Sequence, residues 1–279
     1  MKTAERVFCP GYPRTAEGYI QFPNDVPRRR ELFSELSFQH PAKANIWMIE
    51  ALVDWVSKPG ETILDPFGGT GTIMVATLRP DGPRRVVLLE DAPIFYSMEM
   101  DSREKFIGRG VDGNLIMCLL GDNREYLPMK VDHAIFSPPY ASVLKSSPKA
   151  DSSKALAGSS YVHKEGLGED VFKDYLGTEK NFGRLNPFFY NQQMAKLYEL
   201  LLQSVRIGGT MTVIVQDLMR GGERNELSQW VLRTCVRSGW QLEDWFERYS
   251  PGTGFKKLHK SKGREVVENE SCIVFRRPG

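Results

Sequence analysis

The chain has 279 residues, 41% of them hydrophobic and 26% charged, with a formal net charge of +2. That length carries one large α/β domain or two small ones with cores of their own, and the composition excludes disordered, collagenous and membrane-embedded chains. A net charge this small identifies no polyanionic partner, so a case for nucleic acid has to rest on local clusters.

Residues 1–44 hold Pro10, Pro13, Pro23, Pro27 and Pro41 with short apolar pieces between them, the make-up of an extended arm draped over a domain. Over 44–58, Ile49, Leu52, Val53 and Val56 follow one helix face, and Pro59-Gly60 ends it. Short unalternated apolar runs come next, at 62–65, 85–90, 115–120, 131–136 and 210–215. Helical stretches at 71–78, 92–107, 188–205 and 225–238 separate them, which predicts buried parallel strands in βαβ units. Two last strand candidates, 241–248 and 271–276, have no helix between them and are expected to pair antiparallel at the sheet edge. Two segments break the rhythm: a serine-rich insertion at 141–187 and a Gly-rich, basic loop at 250–270. Loops of such length within a compact domain are commonly functional or disordered.

Cys9, Cys118, Cys235 and Cys272 form no C-x-x-C pair, which argues against a zinc ribbon or disulfide framework and predicts reduced core thiols. No histidine cluster has metal-ligand spacing, so no metal is expected. The first residues lack the apolar run of a signal peptide, and no stretch approaches the roughly 18 apolar residues of a membrane span. A cytoplasmic location without membrane is therefore expected.

The first chemically informative run is Asp65, Pro66, Phe67, Gly68, Gly69, Thr70, Gly71 and Thr72, which leaves one short strand and opens a helix. Its glycines permit a tight turn and close backbone approach, and a helix start offers free N–H groups to a polar ligand. A lone glycine turn can also be a plain β-to-α connection. No Lys follows Thr72, so the phosphate-binding G-x-x-x-x-G-K-[ST] pattern is absent. Glu90 ends the second strand, where a carboxylate can accept two ribose hydroxyls, and Asp122 follows the third at the same sheet edge. Each carboxylate alone could equally be a turn or helix cap.

Ser137, Pro138, Pro139 and Tyr140 directly follow the fourth strand. The two prolines remove N–H donors and leave acceptor carbonyls beside a hydroxyl and an aromatic ring, a receptor for a planar amino group. Candidate DNA contacts are regional: Arg28, Arg29 and Arg30 in the arm; Lys145 and Lys149 in the serine-rich insertion; and Lys256, Lys257, Lys260, Lys262 and Arg264 in the basic loop. Such residues can track phosphates, and they can also be ordinary solvated surface.

These residues carry a resemblance. The sequence resembles the S-adenosylmethionine (SAM)-dependent amino methyltransferases of DNA, the N4-cytosine and N6-adenine group. The match comprises Asp65 to Thr72, the Glu90-Asp-Ala-Pro93 turn, Gly121-Asp122, Ser137-Pro-Pro-Tyr140 and His40-Pro-Ala-Lys43, and it runs from about residue 38 to the carboxyl terminus. It implies an α/β, Rossmann-like, seven-stranded and mostly parallel sheet with helices on both faces and an antiparallel edge hairpin. Residues 45–279 would then form the methyltransferase domain, with 141–187 and 250–270 as DNA-recognition elements.

The resemblance further implies SAM as cofactor, with its adenosine held by Glu90 and Asp122, its methionine near the glycines, and His40 and Lys43 closing the methionine end. Ser137, Pro138, Pro139 and Tyr140 would be the catalytic loop, acting on a base flipped from double-stranded DNA, whose amino nitrogen attacks the methyl in line. N4 of cytosine is favoured because Ser at this position is commoner in that group. The cofactor loop precedes the Ser-Pro-Pro-Tyr loop here, the reverse of many members with Ser. The alternatives are adenine N6, then an RNA or protein-glutamine substrate, then an inert SAM- and nucleic-acid-binding module. A cognate restriction endonuclease as partner, and the oligomeric state, stay open.

Overall fold

The computed structural model of the protein describes residues 6–39, 43–140, 181–220, 222–250 and 260–279. Its strands are β1 (Thr62–Asp65), β2 (Arg85–Glu90), β3 (Ile116–Leu120), β4 (Val131–Phe136), β5 (Val205–Val215), β6 (Leu218–Arg220), β7 (Glu223–Asn225), β8 (Gln241–Tyr249) and β9 (Asn269–Arg276). Seven of them make one sheet in the order β3-β2-β1-β4-β5-β9-β8, and β6 pairs with β7 in a separate hairpin. The pairings from β3 through β5 are parallel, whereas β9 runs antiparallel to both β5 and β8. This is the Rossmann-like sheet with an antiparallel edge hairpin that the sequence predicts.

The unalternated runs exist because both faces of the sheet are covered. Ile63, Val86, Leu88 and Ile135 pack on one face with the arm, with α2 (Ile46–Val56) and with α3 (Pro93–Gly108). Their neighbours Leu64, Val87, Leu89 and Phe136 pack on the other, under α5 (Pro187–Ser204) and α6 (Leu227–Arg237). Between α3 and α5 in chain order lies α4 (Asn123–Tyr126), a single turn. Caps set the ends: Asn45 accepts from the Met48 N–H and Asn186 from the Phe189 N–H, with Pro187 at the start of α5.

Three expectations need correction. The arm is not extended throughout. It forms α1 (Val26–Leu32), with Pro27 in its first turn, and a 3-10 turn at Glu35–Gln39. Proline there gives up an N–H that would have no helical partner, so it starts a helix instead of preventing one. The helix expected at 71–78 is a 3-10 helix, Thr72–Leu78. Asn225 belongs to the β6–β7 hairpin, and the following helix begins two residues later, at Leu227.

The arm is stitched into the domain. Phe8 stacks on Phe246 with centroids 4.0 Å apart and meets Trp55 edge-on, and Ile20 exchanges backbone hydrogen bonds with Glu247 and Tyr249 beside β8. His133 is a core residue, held between Thr210 at 2.9 Å and Glu61 at 3.0 Å. All four cysteines are free; Cys235 and Cys272 are buried, while Cys9 and Cys118 are half-buried. No described helix is long and apolar enough to cross a membrane, and no group of three metal-ligating side chains exists among the described residues.

Candidate active site

The carboxyl ends of β1, β2 and β4 lie side by side, and the sequence candidates on them converge there. After β1 the chain turns through Asp65, which accepts from the Phe67 N–H at 2.9 Å, into Gly69 and Gly71, both at positive φ (57° and 72°). Glu90, buried at the end of β2, accepts from the Gly69 N–H at 2.8 Å and from the Ala92 N–H at 2.9 Å. One carboxylate thus shapes the glycine turn and the start of α3 together. It retains further lone pairs for a ligand's hydroxyls.

Gly68 is where backbone approach is tightest. A Cβ there would lie 2.0 Å from Glu99 Oε1 and 3.1 Å from Leu88 Cβ. Glu99, on α3, is fully buried and neither of its oxygens has a hydrogen-bond partner. Burial, then the nearby Glu90 and Asp65 carboxyls, push its pKa well above the usual range. Burial likewise pushes Asp65 up to about 7, and burial together with Asp91 pushes Glu90 up to about 8. Three acids beneath one glycine turn form a site whose electrostatics favour a cationic ligand, because a positive charge would offset their mutual repulsion.

Glu99 also governs pH dependence. Its folded pKa lies above the ordinary 4.5, so its unfavourable effect is absent below that value and grows as pH rises toward the folded pKa. The slope is about 1.4 kcal/mol per pH unit within that window. Glu99→Gln is therefore expected to raise the melting temperature at pH 8 and leave it near wild type at pH 4. Equal melting at both pH values would show that Glu99 ionises as freely folded as unfolded.

Asp122 follows β3 at the same sheet edge. It caps α4 through the Arg124 N–H at 3.0 Å and pairs with the Arg124 guanidinium at 2.5 Å and 2.7 Å. Lys43 donates to the Phe38 carbonyl at 3.0 Å, which ties it to the 3-10 turn of the arm. His40, Lys145, Lys149, Lys256 and Lys257 lie outside the described residues.

Ser137, Pro138, Pro139 and Tyr140 leave β4, the strand hydrogen-bonded to β1, so this loop emerges next to the glycine turn. Phe67 of the turn contacts Phe136 at the end of β4, with centroids 5.9 Å apart. The Ser137 side chain is exposed, and Pro138 is buried. Tyr140 is pinned through its hydroxyl, which accepts from the Gln216 N–H at 3.0 Å just beyond β5. Burial raises its pKa, so the phenol stays protonated at neutral pH.

The proposed DNA contacts divide. Arg29 does not face solvent, and its assignment to DNA is corrected: its guanidinium is buried, bonded to Asp25 at 2.9 Å, to the Ala44 carbonyl at 2.6 Å and to Thr72 at 3.2 Å. Arg28 pairs with Glu50 and lies over the Trp47 ring. Arg30 is exposed, 5.9 Å from the Phe38 ring. Lys260 pairs with Glu268 at 2.7 Å, while Lys262 and Arg264 are exposed.

Several site residues escape sequence reasoning. Asn123 donates to the Pro66 carbonyl at 2.8 Å, and Phe182 meets Phe67 edge-on at 5.2 Å while Arg124 lies over the Phe182 ring. Asn181 donates to Asp91 at 3.2 Å. The chain thus returns from the serine-rich insertion onto the cofactor edge of the sheet. No short motif marks Asn181 or Phe182, because a contact of this sequence separation has no local periodicity.

Comparison with known proteins bears on this site. A family model described as DNA methylase matches residues 14–87, which takes in the arm and the glycine turn and stops short of the Ser-Pro-Pro-Tyr loop. No curated protein sequence matches the chain. Among solved structures, the cyclase SpnF is 12% identical with a TM-score of 0.51, over 84% of this chain and 82% of that one. A methyltransferase from Pyrococcus furiosus is 10% identical (TM-score 0.48; 85% and 84%). M. jannaschii TYW2, in complex with AdoMet, is 14% identical (TM-score 0.44; 85% and 78%). Likeness at such identities concerns the fold. The fold, the acid-lined glycine turn and the matched methylase segment define the class, a SAM-dependent methyltransferase with S-adenosylmethionine as its cofactor.

Proposed function

We propose that this enzyme is a DNA amino methyltransferase, moving a methyl group from SAM to the exocyclic amino group of a flipped base, with N4 of cytosine the favoured target. The observation that carries this reading is the emergence of Ser137 to Tyr140 from the strand paired with β1, beside the glycine turn. The methylase match at residues 14–87 supports DNA as substrate. Glycines at 68, 69 and 71, with Glu90 behind them, fit a ligand that brings its own hydroxyls and positive charge. When bound, the cofactor supplies an electrophilic methyl.

This chain's residues then orient the acceptor. The Ser137 hydroxyl and the Pro138 carbonyl accept from the base's NH2, turning the nitrogen lone pair away from them and toward the methyl. Two prolines in succession keep this backbone from supplying competing donors. Tyr140, fixed by Gln216, offers its ring to the base. After transfer the methylated nitrogen gives its proton to solvent water, which the exposed Ser137 adjoins, so no strong base is required. Lys262 and Arg264, exposed near the end of the basic loop, would contribute phosphate contacts.

The test is mass spectrometry of nucleosides from DNA incubated with the protein and labelled SAM. N4-methylcytosine is expected. N6-methyladenine alone would move the target to adenine, and label appearing in RNA or protein but not DNA would overturn the substrate. Ser137→Ala should slow single-turnover transfer about tenfold, the value of one hydrogen bond of ~1.4 kcal/mol, without changing SAM affinity. Wild-type turnover in that variant would remove Ser137 from the receptor.

A further inference from the structure

Glu99 is the one acid of the glycine turn that the proposed reaction leaves unused. It lies against the turn from beneath at two points: a Cβ on Gly68 would meet its Oε1 at 2.0 Å, and a Cβ on Gly71 would meet its Cγ at 3.7 Å. Both of its oxygens are buried without a partner, because the donors around them point elsewhere. The Phe67 N–H goes to Asp65 and the Gly69 N–H to Glu90, while the Gly68 N–H goes to the Leu89 carbonyl and the Gly71 N–H to the Gly68 carbonyl, each at 2.9 Å. Arg103, one turn further along α3, donates to the Gly113 and Ile116 carbonyls at 3.0 Å and 3.2 Å. From β3 the Cys118 thiol faces Glu99, and burial together with that carboxyl keeps the thiol protonated.

The three acids beneath the turn are therefore unequal. Asp65 and Glu90 accept backbone N–H groups, which stabilise their ionised forms, and Glu99 accepts none. A buried carboxylate without a donor is tolerated only beside a countercharge. The three carboxyls do not form a metal-holding group, so the countercharge has to come from what binds over the turn. SAM and S-adenosylhomocysteine share the adenosine, the ammonium and the carboxylate, and differ by one methyl and the positive charge on sulfur. Methyl transfer breaks the S–C bond with its electron pair left on sulfur, forms the new bond to the acceptor and releases one proton from it. The space over the turn thereby loses one positive charge.

We propose that Glu99 sets the preference of this site for SAM over S-adenosylhomocysteine, acting across the glycine turn without touching either ligand. With the sulfonium above the turn Glu99 gives up its proton and attracts the ligand; with the thioether there it holds the proton, and that attraction is gone. Product is thus released from a site that bound the cofactor more tightly. The proposal requires SAM as cofactor and is independent of which molecule is methylated, so failure of the cytosine reading leaves it standing.

The experiment is calorimetric titration of the full chain with SAM and with S-adenosylhomocysteine, in wild type, Glu99→Gln and Glu99→Asp. In wild type the ratio of the two affinities should rise with pH between about 6 and 9, by at most about tenfold per pH unit for one linked proton. Glu99→Gln should lower the ratio at pH 8 by about fivefold or more and flatten its rise, leaving the part due to Asp65 and Glu90. Glu99→Asp, which keeps a carboxyl, should fall between the two. Repeating the titrations in buffers of different ionisation heat counts protons: wild type should release more on binding SAM than on binding S-adenosylhomocysteine, and Glu99→Gln should narrow that difference. A merely structural role predicts that both ligands weaken together, and an unchanged ratio and proton count in Glu99→Gln would overturn the proposal. A wild type that binds neither ligand would overturn it together with the cofactor assignment, whereas a normal Glu99 effect without methylation of DNA would overturn the cytosine reading alone.

Discussion

Arg29→Met is expected to destabilise the protein by about 3–5 kcal/mol, the usual consequence of removing one partner from a buried ion pair. The guanidinium lies at the junction of three segments: Asp25 before α1, the Ala44 carbonyl before α2, and Thr72 beyond the glycine turn. Its removal leaves the Ala44 carbonyl without its donor, the Thr72 hydroxyl with Thr70 alone and Asp25 without its countercharge, although the Ile46 N–H still reaches Asp25 at 3.0 Å. Arg29→Lys keeps the charge but not the planar fork, and should fall between wild type and Met. Urea unfolding measures the loss, and a change below about 1 kcal/mol would show that the arm is held by Phe8 and Ile20 without help from Arg29. Because Thr70 and Thr72 share a hydrogen bond of 3.1 Å, SAM affinity should fall with stability.

Gly68→Ala is expected to abolish SAM binding and to cost about 1–3 kcal/mol of stability through overpacking. The added Cβ would lie 2.0 Å from a carboxyl oxygen of Glu99, which is itself enclosed and cannot swing into solvent. Relief comes by lifting the turn, which moves the Gly69 N–H away from Glu90 and opens the surface a cofactor must meet. Gly71→Val should act similarly for another reason: φ is +72° there, a conformation that β-branched residues strongly resist, and Met74 Cε lies 2.9 Å from the added Cβ. Calorimetric titration with SAM, alongside thermal melting, separates the two effects. Lower stability with unchanged SAM affinity in Gly68→Ala would reduce that glycine to a packing role against Glu99.

A positive charge bound at the turn would draw Glu90, Asp65 and Glu99 toward ionisation, so ligand binding and proton release are linked. The direction follows from Glu90: an acid raised to about 8 when unliganded, and better ionised when liganded, gives up a proton on binding below that pH. The same acids, apart from Glu99, were conspicuous as the last residues of predicted strands.

What the sequence determined by itself was whatever local pattern encodes. The runs at 62–65, 85–90 and 131–136 coincide with β1, β2 and β4, because a strand covered on both faces must be apolar at successive positions. The glycine turn, Glu90 and the Ser-Pro-Pro-Tyr loop were legible for a related reason: each stands directly after such a run, and in a parallel sheet every such position lies at one edge. Tertiary structure decided the rest. Arg29 sits in a run of three arginines that locally reads as basic surface, and burial at one of the three depends on where α1 docks. Arg124 folds back on Asp122 at 2.7 Å, a pairing that the strand pattern does not specify. The β6–β7 hairpin, with Glu223, Arg224 and Asn225 all exposed, has no buried face to impose a period. Glu99 acquires its importance from a neighbour distant in sequence, Gly68, and a contact across such a separation exists only after the sheet has brought its edges together.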